Sequence, residues 1–182
     1  MAKQDYEEKH PDRKVFVLDT LSAGPEMAMV VEKLAELVNE GKGFEEVVSE
    51  IKKYMKRTHL CFMLESLKNF ARNGRVKPVV AQLVGVLGIR VVGIASAEGT
   101  LEPKAKVKGE QRALNELVKL MSSIGYKGGR VRIAHCRNEN AANLLAGKLK
   151  KLFGDIDISI MANRALCSYY AENGGMLIGY ES

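Results

Sequence analysis

One apolar run near the start of the chain, Lys14-Val15-Phe16-Val17-Leu18, constrains the fold more than any other feature. Continuous runs of this kind, bounded by polar residues, are typical of strands covered on both faces in a parallel sheet. Residues 1 to 10 read as a short polar helix ending before Pro11, and Asp19 to Gly24 read as a loop. Pro25, a favoured first-turn residue, then opens a helix in which Met27, Val30, Val31, Leu34, Leu37 and Val38 recur at helical spacing. Gly41 stops it, and Phe44, Val47, Val48, Ile51, Tyr54 and Met55 repeat the pattern. Three helices and one strand do not close a fold. Buried unpaired backbone groups cost about 1–3 kcal/mol each, and apolar helix faces need a layer to cover. Residues 1–57 are therefore expected to be the remnant of a larger α/β domain. They would complete their sheet with strands from elsewhere or from another copy of the chain.

From Thr58 the pattern changes and becomes self-sufficient. Strands are predicted at His59 to Leu64, Ile89 to Ala95, Thr100 to Val107, Val131 to Cys136, Ile156 to Ala162 and Met176 to Tyr180. The Ala97-Glu98-Gly99 turn makes a hairpin of the second and third. Helices are predicted at Ser66 to Arg72, Lys77 to Val84, Glu110 to Ser123, Glu139 to Phe153 and Arg164 to Ala171. Leu114, Leu117, Val118 and Met121 form one apolar stripe, and Leu144, Leu145, Leu149 and Leu152 another. The expected class is mixed α/β, with residues 58–182 forming a second domain of six mixed strands and packed helices.

Composition removes several functions. Net charge is +6 and there is no Trp, which lacks the dense basic block interleaved with aromatics that nucleic-acid binding favours. No apolar run approaches the roughly 20 residues of a membrane span, and Met1 to Arg13 lacks the apolar centre of a signal peptide. A cytoplasmic protein is expected. Cys61, Cys136 and Cys167 are widely separated and show no metal or redox spacing. His10, His59 and His135 form no catalytic or ligand set, and no phosphate loop or nucleophile elbow is visible. The chain is expected to be non-catalytic, without cofactor or metal.

Three short segments carry candidate chemistry. Asp19-Thr20-Leu21-Ser22-Ala23-Gly24 presents backbone N–H groups and hydroxyls between a strand and a helix, where α/β ligands tend to sit; equally, Ser22 is a candidate helix cap. In Asn73-Gly74-Arg75, Gly74 supplies a positive φ and Arg75 a guanidinium able to fork onto a carboxylate; a helix C-cap followed by a solvated arginine fits as well. In Lys104-Ala105-Lys106-Val107-Lys108, alternation sends three lysines to one face, as a solvated edge strand or an anion contact.

The order of these segments resembles the DegV family of bacterial fatty-acid-binding proteins. Asp19 to Gly24 is similar to the family's Asp-Ser loop, with Thr20 for Ser, and Asn73-Gly74-Arg75 to its Gly-Gly-Arg turn. Leu87-Gly88-Ile89-Arg90, Lys106-Val107-Lys108-Gly109 and Gly174-Gly175 are similar to three further family segments, with Lys108 in place of arginine. Ala171 stands where the family carries a histidine, followed by Glu172 and Asn173. The resemblance implies two α/β domains holding a long-chain fatty acid, its carboxylate near the interface and its tail in an apolar tunnel. It also implies presentation of the acid to a fatty-acid kinase. Carried over by position, Ser22, Arg75, Arg90, Lys106 and Lys108 are the expected head-group residues. The family's Ser-Gly-Thr loop precedes the strand at Lys14, so the first domain is expected to be incomplete. That incompleteness also suits a different reading, a self-associating or regulatory module, such as a homodimer formed through residues 1–57, with no ligand of its own.

Overall fold

A computed structural model describes residues 2–76 and 88–182. Helices α1 (Ala2–Lys9), α2 (Pro25–Asn39) and α3 (Phe44–Met55) precede strand β1 (Thr58–Leu64) and the short α4 (Lys68–Arg72). Strands β2 (Ile89–Ala95) and β3 (Leu101–Lys108), helix α5 (Glu110–Ser123), β4 (Val131–His135) and α6 (Glu139–Phe153) follow. The described chain ends with β5 (Ile158–Ala162), α7 (Ala165–Ala171) and β6 (Met176–Glu181). The helix expected at Lys77 to Val84 lies outside the described residues.

The six strands form one mixed sheet in the order β3-β2-β1-β6-β4-β5. Only β4 and β5 pair in parallel, and α6 supplies the crossover that a parallel pair requires. The β2–β3 hairpin forms at the expected turn, closed by the Ser96 amide donating to the Thr100 carbonyl at 2.7 Å. Its register shifts at Gly93, where a Cβ would overlap the Glu102 carbonyl and the Phe62 ring. Ala105 pairs with Val92 and Pro103 with Gly93, so Lys104 has no opposite residue in the ladder. The bulge leaves the exposure pattern as expected: Lys104, Lys106 and Lys108 are exposed, while Ala105 and Val107 are half-buried on one core face.

Period-two alternation sorts the core into two faces. Cys61, Met63, Ile133, Ile178 and Tyr180 pack on one side with Leu114, Leu117 and Met121 of α5 and Leu145 and Leu149 of α6. All are effectively dry, and each large apolar side chain so buried contributes about 1.5–3 kcal/mol. Leu60, Phe62, Leu64, Val91, Ala134 and Leu177 face the other side, where α4 and α7 cover one part of the sheet. Helix α2 covers another part, across β6, β4 and β1.

Two features hold α2 in place. Gly179 of β6 lets the helix entry approach closely, since a Cβ there would stand 2.6 Å from the Glu26 nitrogen. On the same face Arg132, almost fully buried, forks onto Glu32 of α2 at 2.7 Å and Asp157 at 2.8 Å. Arg130 joins Glu36 at 2.7 Å and Asp157 at 2.9 Å. The Arg132 hydrogen bond holds the Asp157 carboxyl below its ordinary range, and Arg130 does the same for Glu36.

One expectation for residues 1–57 changes. Residues 14–18 are extended but belong to no strand, with Phe16 38% and Val17 67% exposed. An apolar run becomes a strand only when a neighbouring edge accepts its ladder. Among the described residues none does, and the run instead lies by α3, with the Lys52 ammonium 4.6 Å from the Phe16 ring centroid. The change of pattern near Thr58 is also bridged by α2, whose packing on the sheet is described above.

Candidate functional site

Between α2 on one side and α4 and α7 on the other lies a strip of the sheet over which none of the helices among the described residues packs. A strap, residues 18–23, crosses this strip. Its turns are satisfied locally: the Leu21 amide donates to Asp19 Oδ1 at 3.0 Å, and the Thr20 hydroxyl donates to the Ser22 carbonyl at 3.2 Å. Leu21 adopts a left-handed φ of 48°, which its side chain tolerates poorly. Contacts fix both ends of the strap. A Cβ on Gly99 would lie 3.0 Å from the Leu21 carbonyl oxygen, so the hairpin turn closes on the strap. A Cβ on Gly24 would lie 3.2 Å from Cys167 Sγ and 3.5 Å from Leu177 Cδ1, so α7 and β6 close on its other end.

Beside the strap lies a cavity of about 460 Å³. Leu18, Leu60, Phe70, Leu101, Tyr170 and Leu177 give it a largely apolar wall, with the Phe70 and Tyr170 rings 4.7 Å apart. Among the described residues Arg75 is the only cation in this lining, and it is exposed at the mouth; Asp19 and Glu98 are the acids. The first turn of α2 borders the same space through Met27, with Gly24 as its cap and no side chain on its free N–H groups. Such a helix start favours an anion. Cys167 also lines the cavity, and burial pushes its thiol up, so it stays protonated. A wider hollow of about 720 Å³ opens on the other side of the strap, with Phe16, Met55, Ile94 and Ile124 in its wall and Lys52 and Lys56 beside them.

The five sequence-derived residues separate. Ser22 and Arg75 line the cavity. The Ser22 hydroxyl donates to Glu26, which also accepts from Thr58 Oγ1 at 3.0 Å; Gly24, not Ser22, is the helix cap. Arg90 lies outside both linings, 2.7 Å from Glu65 and 3.9 Å from Glu110. Its charge is met inside the protein. Lys106 and Lys108 are exposed on β3, the edge strand, and line neither space. Glu172, next to the position of the family's histidine, accepts from Ser66 Oγ at 2.9 Å and from the Asn69 amide at 3.3 Å. That carboxylate caps α4 and lies outside the cavity lining.

Sequence reasoning passed over the wall itself. Leu60, Ala95, Leu101 and Leu177 read only as strand residues, although alternation along each strand assigns them to the face opposite α5 and α6. His59, in the wider hollow, is 2.8 Å from Ser182 Oγ, and burial lowers its pKa. Among the described residues no group of three or more His, Cys, Asp or Glu is placed to hold a metal ion, and no helix is long and apolar enough to cross a membrane.

Comparison with known proteins gives consistent matches. The family profile described as "Uncharacterised protein, DegV family" matches residues 1–182. A DegV domain-containing protein of Streptococcus pneumoniae is 42% identical over 181 residues. That match takes in all of this chain and 64% of the relative, so the chain spans just under two thirds of the curated relatives it matches. A crystal structure of a DegV family protein from Eubacterium eligens, loaded with heptadecanoic acid, is 44% identical with a TM-score of 0.96. It matches 100% of this chain and 66% of that one. The Streptococcus pneumoniae Fatty Acid Kinase (Fak) B3 protein, loaded with linoleic acid, is 42% identical with a TM-score of 0.96, covering 99% of this chain and 64% of that one.

Proposed function

The chain belongs to the DegV family, and from that footing we propose that it forms one wall of a site for a long-chain fatty acid. The observation that carries this reading is the cavity of about 460 Å³, its wall largely apolar and Arg75 its one cation among the described residues, beside the acids Asp19 and Glu98. Its size is that of a small-molecule pocket. Each methylene buried there contributes about 0.8 kcal/mol, while Arg75 and the first turn of α2 meet the carboxylate. Ser22 lines the same space with its hydroxyl given to Glu26, and Arg90, Lys106 and Lys108 lie outside the lining. The protein in this reading is a cytoplasmic, non-catalytic carrier, needs no cofactor, and presents the acid to a fatty-acid kinase. The Fak B3 protein's name and bound linoleic acid support that part. The division at about Thr58 also belongs to the reading, with residues 1–57 contributing α2 and the strap to the site on the sheet of 58–182.

Native mass spectrometry of protein from a bacterial host tests it. A co-purifying acid, or uptake of added oleate, is expected, with Arg75→Ala reducing oleate affinity about tenfold, the loss of one charge-assisted hydrogen bond of roughly 1.5 kcal/mol. Protein that arrives empty and takes up no oleate would remove the reading. A second reading, self-association without a ligand, is favoured by Met27, Val31 and Val38 of α2, which are 41%, 58% and 61% exposed. Light scattering after size exclusion distinguishes it, since a monomer at all concentrations excludes it.

A further inference from the structure

The cavity beside Arg75 and the wider hollow share part of their walls: Leu18 to Leu21 of the strap above, and Leu60 and Ala95 of the sheet below. The strap is therefore a partition crossing one trough, and the floor beneath it is made by those two side chains. Leu60 is 8% exposed and belongs to the core. Ala95, at the end of β2, is the smaller of the pair and sits where β2 pairs with Leu101 of the hairpin. No hydrogen bond is found between residues 18–21 and the sheet among the described residues; those of Asp19, Thr20 and Leu21 stay within the strap, while Ser22 donates to Glu26 of α2. Displacing it by a small distance therefore breaks no ladder. Beyond the partition Ile94, Met55 and Ile124 supply apolar wall, with Glu26, Lys52, Lys56 and His59 around it.

We propose that Ala95 is a specificity-determining residue for acyl length: the passage it leaves under the strap lets the tail of a long acid continue from the Arg75 cavity into the hollow lined by Met55. Short acids end before the passage and do not sense it. This inference rests on the fatty-acid reading above and adds the path of the tail. Dodecanoic and octadecanoic acids are the probes, with affinities measured by calorimetry or by displacement of a fluorescent acyl probe. Ala95→Phe fills the passage and is expected to weaken octadecanoate at least tenfold while changing dodecanoate less than twofold. Met55→Trp fills the far hollow without touching the Arg75 cavity, and is expected to show the same selective loss. Equal losses for both acids in either variant, or no loss for octadecanoate in Met55→Trp, would overturn the proposal. Circular dichroism and melting of each variant separate a misfolded Ala95→Phe protein from a blocked one, and Met55→Trp then decides. A wild-type chain that binds neither acid would instead remove the fatty-acid reading, and this inference with it.

Discussion

Arg132 binds two carboxylates from different parts of the chain, Glu32 of α2 and Asp157 before β5, and so ties the helix that borders the cavity to the sheet beneath it. Removing one member of a buried pair is costly, but these carboxylates are 37% and 55% exposed and water meets part of the loss. Arg132→Met is therefore expected to cost about 1–3 kcal/mol, seen as a melting temperature lower by roughly 2–4 °C per kcal/mol. The sign of its pH dependence follows from Asp157. Its folded pKa lies below the ordinary 3.8, so its contribution is complete above that value and is lost as pH falls through the folded pKa. The gap between wild type and variant should be full at pH 6 and shrink below about pH 4, as melting at both values will show. Gly179→Ala tests the neighbouring contact: the added carbon must push α2 outward, costing about 1–3 kcal/mol and lowering oleate uptake with it. The turn before Arg75 was legible in the sequence, since Gly74 takes the positive φ expected of it. The pairing of Arg90 was not, since Glu65 and Glu110 reach it only through the sheet register and the start of α5.

At the scale of elements, the strands from Thr58 onward were readable because each carries its own period and its own turn signals, as the Ala97-Glu98-Gly99 hairpin shows. Residues 14–18 were misread for a physical reason. A continuous apolar run states that a segment avoids water, but its strand identity depends on a partner edge that no local pattern encodes. The wall of the cavity was hidden in the same way, because Leu60 and Leu177 look like any core residues until the helices are distributed over the two faces. The edge strand β3 carries its lysines as a deterrent to pairing with other chains. Replacing Lys106 and Lys108 by threonine should leave oleate affinity unchanged and lower the temperature at which light scattering reports aggregation. A fall in oleate affinity would restore those lysines to the head-group site.

For the molecule as a whole, a ligand that enters the cavity beside Arg75 would bind only the folded state. At a hundred times its dissociation constant it should add about 2.7 kcal/mol. For a chain of this size that is a rise of roughly 5–11 °C in melting temperature, absent in a variant that cannot bind. Differential scanning fluorimetry with and without oleate reads this directly, and Arg75→Ala, binding about tenfold more weakly, should show about half the rise.

The sheet also closes on itself at one corner. β1 and β6 are paired so that the Ser182 amide reaches the Arg57 carbonyl at 2.8 Å. The strand that opens the sheet thus starts beside the residue that follows its last strand. This bond couples the start of β1 to the end of β6, so amide exchange at Ser182 should be slowed for as long as the β1–β6 pairing holds.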